Sequence, residues 1–335
     1  MPEERSNSEG DQRPPMGRES IIRDVRNWLG QGQRVWLCTI VDTWGSSPRP
    51  VGSWLAVSES GQWSGSVSGG CLEENLFRRA VSEELEHPTV VDYGITDEDR
   101  DHFQLPCGGS IRLLIEPLEP EQAYHQMNDL VSALAERRAV VRRVTLEGQT
   151  RLLSADSGQG SAVRFDGEIL VHRLQPECRL LLIGAGDVAR YVAEFASAAE
   201  FEVTLCEPRA AFADGWGYSH IPVRRQLPDD LIVSDFNDAW SGVLALAHDP
   251  RIDDMGLLAA LNSSAFYIGA MGSRKTSEVR RERLLSLGLD EHSLDRLRAP
   301  IGVDIPSKTP AEIAISIVAD LIAARHHLRS TSPSL

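Results

Sequence analysis

No stretch of this chain approaches the roughly 18 consecutive apolar residues that span a bilayer, and the N-terminus lacks the apolar core of a signal peptide. Cysteine is scarce: Cys38, Cys71, Cys107, Cys178 and Cys206 are widely spaced and contain no CxxC pair. An odd, scattered set argues against a disulfide framework or a structural zinc site, so a cysteine that matters here matters as a single thiol. Positive charge is also short, with Lys+Arg 34 against Asp+Glu 49 and a formal net charge of -15. A chain this acidic, without a basic run, is poorly suited to a nucleic-acid backbone. The charge is read as solubility. The expectation is a cytoplasmic protein with no nucleic-acid and no membrane partner.

What is present fits an ordinary globular protein. The 335 residues, 41% of them hydrophobic, suggest about two domains, each able to bury its own core. Residues 1–19 are polar and rich in Ser, Glu, Pro and Arg, and read as a disordered tail. A mixed α/β domain is expected over 20–118, a connecting helix and hairpin over 119–176, and a second domain over 177–327 before a short tail, 328–335. In the second domain strands are expected at 179–183, 202–206, 231–233, 243–247 and 265–268. Helices are expected at 187–199, 252–261, 273–287 and 310–325. This alternation is the pattern of a Rossmann-like, doubly wound parallel sheet.

The sharpest motif is Leu181-Leu182-Ile183-Gly184-Ala185-Gly186-Asp187-Val188-Ala189, a buried strand running through G-x-G-x-x-A into a helix. Gly184 permits the tight turn, Gly186 admits a pyrophosphate to the backbone, and Ala189 allows close helix–strand packing. Glu207, at the end of the next strand, stands where this fingerprint places the acid for a ribose diol. Arg209 leaves both NAD and a phosphate-bearing ligand open. Asp187 either repels a diphosphate or caps the helix. His248, with Asp249, follows a parallel strand at its ligand-binding end, against the plainer reading of a loop contact.

The first domain carries three glycine-flanked polar loops. Ser68-Gly69-Gly70-Cys71 precedes a helix whose exposed N–H groups and dipole suit an anion and lower a thiol's pKa. Cys107 precedes Gly108-Gly109, and Arg49 lies in Gly45-Ser46-Ser47-Pro48-Arg49, where it can pair with phosphate or carboxylate. Three such loops in one short domain suggest one site assembled at strand ends.

Longer phrases carry a family resemblance. GSSPRPVGSWLAV, SGSVSGGCLEENL and LPCGGSIRLLIEPL resemble the N-terminal domain of XdhC/CoxI proteins. IGAGDVA, YIGAMGSRKT and PIGVDIPSKTPAEIAISIVADLIAAR resemble their Rossmann domain. The resemblance implies a chaperone that binds the molybdenum cofactor (molybdopterin), protects it, supports its sulfuration and inserts it into a xanthine dehydrogenase-type molybdenum hydroxylase. The apo-hydroxylase, a cysteine desulfurase and a second copy of the chain (a homodimer) are the implied partners. By position, Cys71 and Cys107 fall on the family's cysteine loops, with Cys71 a possible molybdenum contact. Gly184, Gly186 and Ala189 fall on its Rossmann loop; Ser273, Arg274 and Lys308 fall on its later motifs. Glu207-Pro208-Arg209 replaces an Asp-Pro-Arg-like run, and Pro306-Ser307 stands where Gly-Ala is common. The competing reading is an NAD(P)-dependent oxidoreductase with His248 as acid/base; another nucleotide in the Rossmann site is also left open.

Overall fold

A computed structural model describes residues 17–45, 47, 49–68, 72–82, 85–94, 109–154 and 162–330. The chain opens with helix α1 (Arg18–Gly30), which buries Ile21, Ile22, Val25, Trp28 and Leu29 along one face, the spacing of an amphipathic helix. Strand β1 (Val35–Trp44) follows as the centre of an antiparallel sheet. Val35, Leu37 and Val41 point to one side of it, Trp36, Cys38 and Ile40 to the other, and all are buried. Burial on both faces is why β1 reads as an almost unbroken apolar run rather than an alternation. With β2 (Trp54–Ser58), β3 (Trp63–Gly65), β4 (Thr89–Tyr93) and β5 (Ser110–Leu118) the sheet has the order β3-β2-β1-β5-β4.

Helix α2 (Glu73–Ser82) covers one face, where Leu72 and Leu76 meet Trp36, Cys38 and Ile40. The other face packs on α1, on α3 (Pro120–Ala135) and on a second antiparallel sheet. That sheet consists of β6 (Val140–Thr145), β7 (Thr150–Ser154), β8 (Val163–Phe165) and β9 (Ile169–Leu174) in the order β7-β6-β9-β8. Leu130, Val140 and Leu174 enter the same cluster as Val35 and Leu37. The segment over 119–176 therefore shares its core with the first sheet.

A charged pair lies between these two sheets. Arg142 and Glu116 are 0% and 3% exposed and form an ion pair, with Thr150 Oγ1 donating to Glu116 at 3.0 Å. His172 sits opposite Arg142 on β9, its ring edge-on to Trp54 with centroids 5.3 Å apart. Burial holds this imidazole well below the ordinary histidine value, and the Arg18 and Arg142 charges push the same way.

The remainder is a parallel α/β unit. Its strands are β10 (Arg179–Ile183), β11 (Glu202–Cys206), β12 (Val223–Arg224), β13 (Ser241–Ala245), β14 (Tyr267–Ala270) and β15 (Leu297–Arg298). Its helices are α4 (Asp187–Ala198), α5 (Ala210–Asp214), α6 (Pro228–Asp235), α7 (Pro250–Leu261), α8 (Arg274–Ser286), α9 (Glu291–Leu294) and α10 (Pro310–Ser330). The order β12-β11-β10-β13-β14-β15 reverses direction between β10 and β13, the arrangement of a Rossmann sheet and its switch point. Helices α4 and α10 cover one face, and α6, α7 and α8 cover the other. The doubly wound expectation is met.

One expected strand is not there. Residues 231–233 lie in α6, where Pro228 at the first turn and Asp229 and Asp230 beside it favour a helix start. Leu231 and Ile232 are buried while Val233 is 66% exposed; three apolar residues in a row do not distinguish the two periods.

The two parts meet at one edge of the parallel sheet. Arg137 pairs with Asp238 at 3.1 Å and donates to the Glu177 carbonyl at 2.9 Å. Arg49 approaches Glu200 at 3.9 Å. Glu177, Glu200 and Asp238 each precede a parallel strand, so the first module abuts the amino edge of the Rossmann sheet. The carboxyl edge, where its glycine loop lies, is about 17 Å away along a five-residue strand.

Candidate functional site

Strand registers bring the polar loops of the first sheet to one end. Trp44 pairs with Ser110, Tyr93 with Ile111, Thr39 with Trp54, and Leu55 with Gly65. The segment after β1, the segment after β3 and the residues entering β5 therefore leave the sheet in the same direction, with the end of β3 level with Cys38 and the start of β5 level with Trp44. Gly69, Gly70, Cys71 and Cys107 lie outside the described residues, whereas their neighbours Ser68, Leu72 and Gly109 lie within them.

Among the described residues at the start of α2, the loop amides are held by an internal carboxylate rather than left open. Glu73 folds its carboxylate back into the loop: Oε1 accepts from Ser66 Oγ at 2.6 Å and from the Val67 and Ser68 amides, each at 3.0 Å. Oε2 accepts from the Ser68 hydroxyl and from the Leu72 amide at 3.2 Å. Ser68 Oγ also accepts from Leu72 N at 2.8 Å. Burial alone would raise the Glu73 pKa, but these serine and amide donors outweigh it and bring it down to about 2. The carboxylate is thus a fixed internal anion around which the loop is wound. Ser68, expected to touch a ligand, is buried with its hydroxyl and amide engaged in this clamp. Beneath it, burial chiefly, with the Glu73 charge adding, pushes the Cys38 thiol up to about 12, which makes it an inert core residue. Arg49 directs its guanidinium toward Glu200 across the module boundary rather than standing free.

The second group of residues lines the carboxyl edge of the parallel sheet. Gly184 has φ +100, and a Cβ there would lie 2.4 Å from the Ala247 Cα, so only glycine permits this approach of two loops. Gly186 is the N-cap of α4 and offers no side-chain bond to the first turn. The first amides of α4 therefore face the crevice without a cap. Asp187, the first helical residue, is exposed and does not cap the helix. Helices α7 and α8 contrast with α4: Asp249 accepts from Arg251 N, and Ser273 accepts from Thr276 N at 3.1 Å. At α10, Thr309 and Glu312 form a capping box, with Glu312 Oε2 accepting the Lys308 and Thr309 amides.

Glu207 is wholly buried and saturated. It accepts from Ala185 N at 3.0 Å, from Arg209 N at 3.0 Å, and from Arg209 Nε and Nη2, both at 2.7 Å. Burial opposes its charge, yet the Arg209 bonds and the two amides hold its pKa below the usual glutamate value. Arg209 stacks over Phe212 at 4.2 Å. His248 is exposed with φ +56. Asp249 does not orient it, because its carboxylate is paired with Arg251 at 2.9 Å. Asp253 secures the neighbouring loop by accepting from Ala247 N at 3.0 Å, and Arg280 ties Asp253 and Asp254 to the Met271 carbonyl.

Comparison with known proteins decides the family. Residues 28–94 match the XdhC and CoxI family, and residues 180–321 match the XdhC Rossmann domain. The chain belongs to the XdhC and CoxI family. It is 27% identical to the molybdenum cofactor insertion chaperone PaoD of Escherichia coli (strain K12), over 93% of this chain and 90% of that protein. It is 26% identical to a probable xanthine dehydrogenase subunit from Bacillus subtilis (strain 168), over 86% of this chain and 92% of that protein. A crystal structure described as a xanthine dehydrogenase from Bacillus halodurans superposes with TM-score 0.74 at 25% identity, covering 93% of this chain and 97% of that one.

Within this XdhC-type chain the residues first taken as one cofactor-binding set fall into two places. Arg49 and Ser68 belong to the loop end of the first sheet. Gly184, Gly186, Asp187, Glu207, Arg209, His248 and Ser273 gather at the carboxyl edge of the Rossmann sheet, and Ala189 is buried in α4 behind them. Arg274 bridges to Asp304 at 3.3 Å, and Lys308 enters the α10 cap through its backbone. Sequence reasoning missed Glu73, although an acid opening a helix after a serine-glycine run is a visible capping signal. It also missed Asp253 and Arg280, which no local spacing announces.

Proposed function

We propose that this protein binds the molybdenum cofactor, shields it and delivers it to an apo molybdenum hydroxylase of the xanthine dehydrogenase type, acting as a maturation factor rather than turning over a substrate. The observation that carries the reading is that the end of β3 and the start of β5, which flank the segments holding the sparse cysteines Cys71 and Cys107, open toward the same end of one sheet. The kinship with a molybdenum cofactor insertion chaperone supports it. The donor set suits the cargo: a soft thiolate is matched to molybdenum or its sulfur, and glycine lets backbone approach a bound pterin closely. In this reading Cys71 is the metal contact and Cys107 its neighbour, Gly69 and Gly70 supply close backbone, and Glu73 holds the loop's shape through Ser66 and Ser68. Sulfuration with a cysteine desulfurase as donor, assembly as a homodimer and a cytoplasmic setting belong to the same proposal. The oxidoreductase alternative is weaker, since Asp249 is paired with Arg251 and leaves His248 without an orienting carboxylate.

Reconstitution tests the proposal. Purified apo-hydroxylase is mixed with free molybdenum cofactor, with and without this protein, and hydroxylase activity is followed. Activation that rises with this protein and disappears with its Cys71→Ala variant is the expected result. Equal activation without the protein would refute a delivery role.

A further inference from the structure

The Rossmann crevice lies at the edge of the parallel sheet away from the contacts that Arg49 and Arg137 make with it, and is furnished for a ligand of its own. In dinucleotide-binding sheets the acid ending the second strand accepts from the two hydroxyls of a free ribose diol. Glu207 occupies that position but has no such capacity: both oxygens are already engaged by Ala185 N, Arg209 N and the Arg209 guanidinium, and the residue is 0% exposed. A diol placed there would lose its water without gaining an acceptor, the costly case for buried polar groups.

The same bonds orient Arg209. Nε and Nη2 face Glu207, Phe212 stacks on the guanidinium plane, and Nη1 has no hydrogen-bond partner among the described residues. The side chain is 29% exposed, so the outward edge of a pre-positioned planar donor meets solvent. That is the arrangement suited to a phosphate oxygen. Next to it the uncapped amides of α4 and the close backbone at Gly184 provide for a second phosphate group.

We infer that Arg209, locked on Glu207, is the specificity-determining residue of this crevice. It admits a dinucleotide whose ribose carries a 2′-phosphate and disfavours the same dinucleotide with a free diol. Glu207 acts as a positioning residue that turns the guanidinium outward. The inference stands apart from the cofactor-delivery reading, because it concerns the opposite edge of the Rossmann sheet.

Equilibrium titration of the full-length protein with NADPH and with NADH, by calorimetry, tests it. The expected result is NADPH binding at least tenfold tighter than NADH, with adenosine 2′,5′-bisphosphate competing and AMP not. Arg209→Ala should erase the preference, because it weakens NADPH and frees the Glu207 oxygens to accept from the diol of NADH, and Arg209→Lys should restore part of it. A melting curve confirms that each variant is folded, and the wild-type ratio decides the matter even if one is not. NADH binding as tight as NADPH, or no binding of either, overturns the inference. Molybdenum cofactor titrated in parallel keeps a failure here distinct from a failure of the delivery reading.

Discussion

At the loop end of the five-stranded sheet, the anion-holding amides before α2 are filled by the protein's own Glu73; at the carboxyl edge of the parallel sheet, those opening α4 are left uncapped. The ribose position shows the reverse economy, with Glu207 closed on Arg209. A glycine-rich turn before a helix is thus only half a site. Whether it takes a ligand depends on which internal carboxylate reaches it first: the described amides of the first region are held by Glu73, while the second keeps donors free.

The largest expected effect lies between the two antiparallel sheets. Arg142→Met leaves Glu116 buried without its partner and should lower unfolding free energy by about 3–5 kcal/mol, measured by urea denaturation. Replacing both members with apolar residues of similar volume should recover most of that loss. A null result for the single variant would show that the two-sheet interior is not the rigid base of the comparison.

Next in size, Glu73→Ala removes the internal anion and should cost about 2–3 kcal/mol. It should also loosen the loop, raising amide exchange at Val67, Ser68 and Leu72 with little change at Gly186. Equal change at both ends would erase the distinction drawn between them.

Acid should act on the first region in two stages. The folded pKa of His172 lies well below 6.5, so its contribution is complete above that value and declines as pH falls below it. The folded pKa of Glu73 is lowered from 4.5 to about 2, so its contribution is present above 4.5 and lost as pH falls toward 2. Urea midpoints measured from pH 8 to pH 3 should fall accordingly, and His172→Gln should flatten the upper stage.

The smallest expected change is the sharpest test of the contrast. Gly186→Ser gives α4 the side-chain cap that α8 already has. The site has room, since the nearest atom to a Cβ there is the Leu246 carbonyl oxygen at 3.9 Å. Stability should rise by a few tenths of a kcal/mol while NADPH affinity falls, because the cap competes for the same amides. Unchanged affinity would mean those amides are not used.

Much of this frame was legible from residue order. The strand–glycine–helix signal at Gly184 rests on backbone requirements that few other residues meet, and parallel strands show as short apolar runs between helical periods. The 231–233 triplet misled because three apolar residues suit a buried strand or a helix face equally. Glu207 was legible as a position but not as an occupied one, since only the fold turns Arg209 back onto it. Glu116 and Arg142 are brought together by the packing of two sheets, and neither announces the other in sequence. Glu73 stands two residues after Cys71, and only the fold shows that its carboxylate accepts from the Val67, Ser68 and Leu72 amides.

The most direct test of the central claim is anaerobic equilibrium binding of molybdenum cofactor to the wild-type protein and to Cys71→Ala, with NADPH titrated alongside. The account predicts stoichiometric cofactor binding that weakens at least tenfold in the variant while NADPH binding stays unchanged. Cofactor binding that is indifferent to Cys71, or that NADPH displaces, would contradict it.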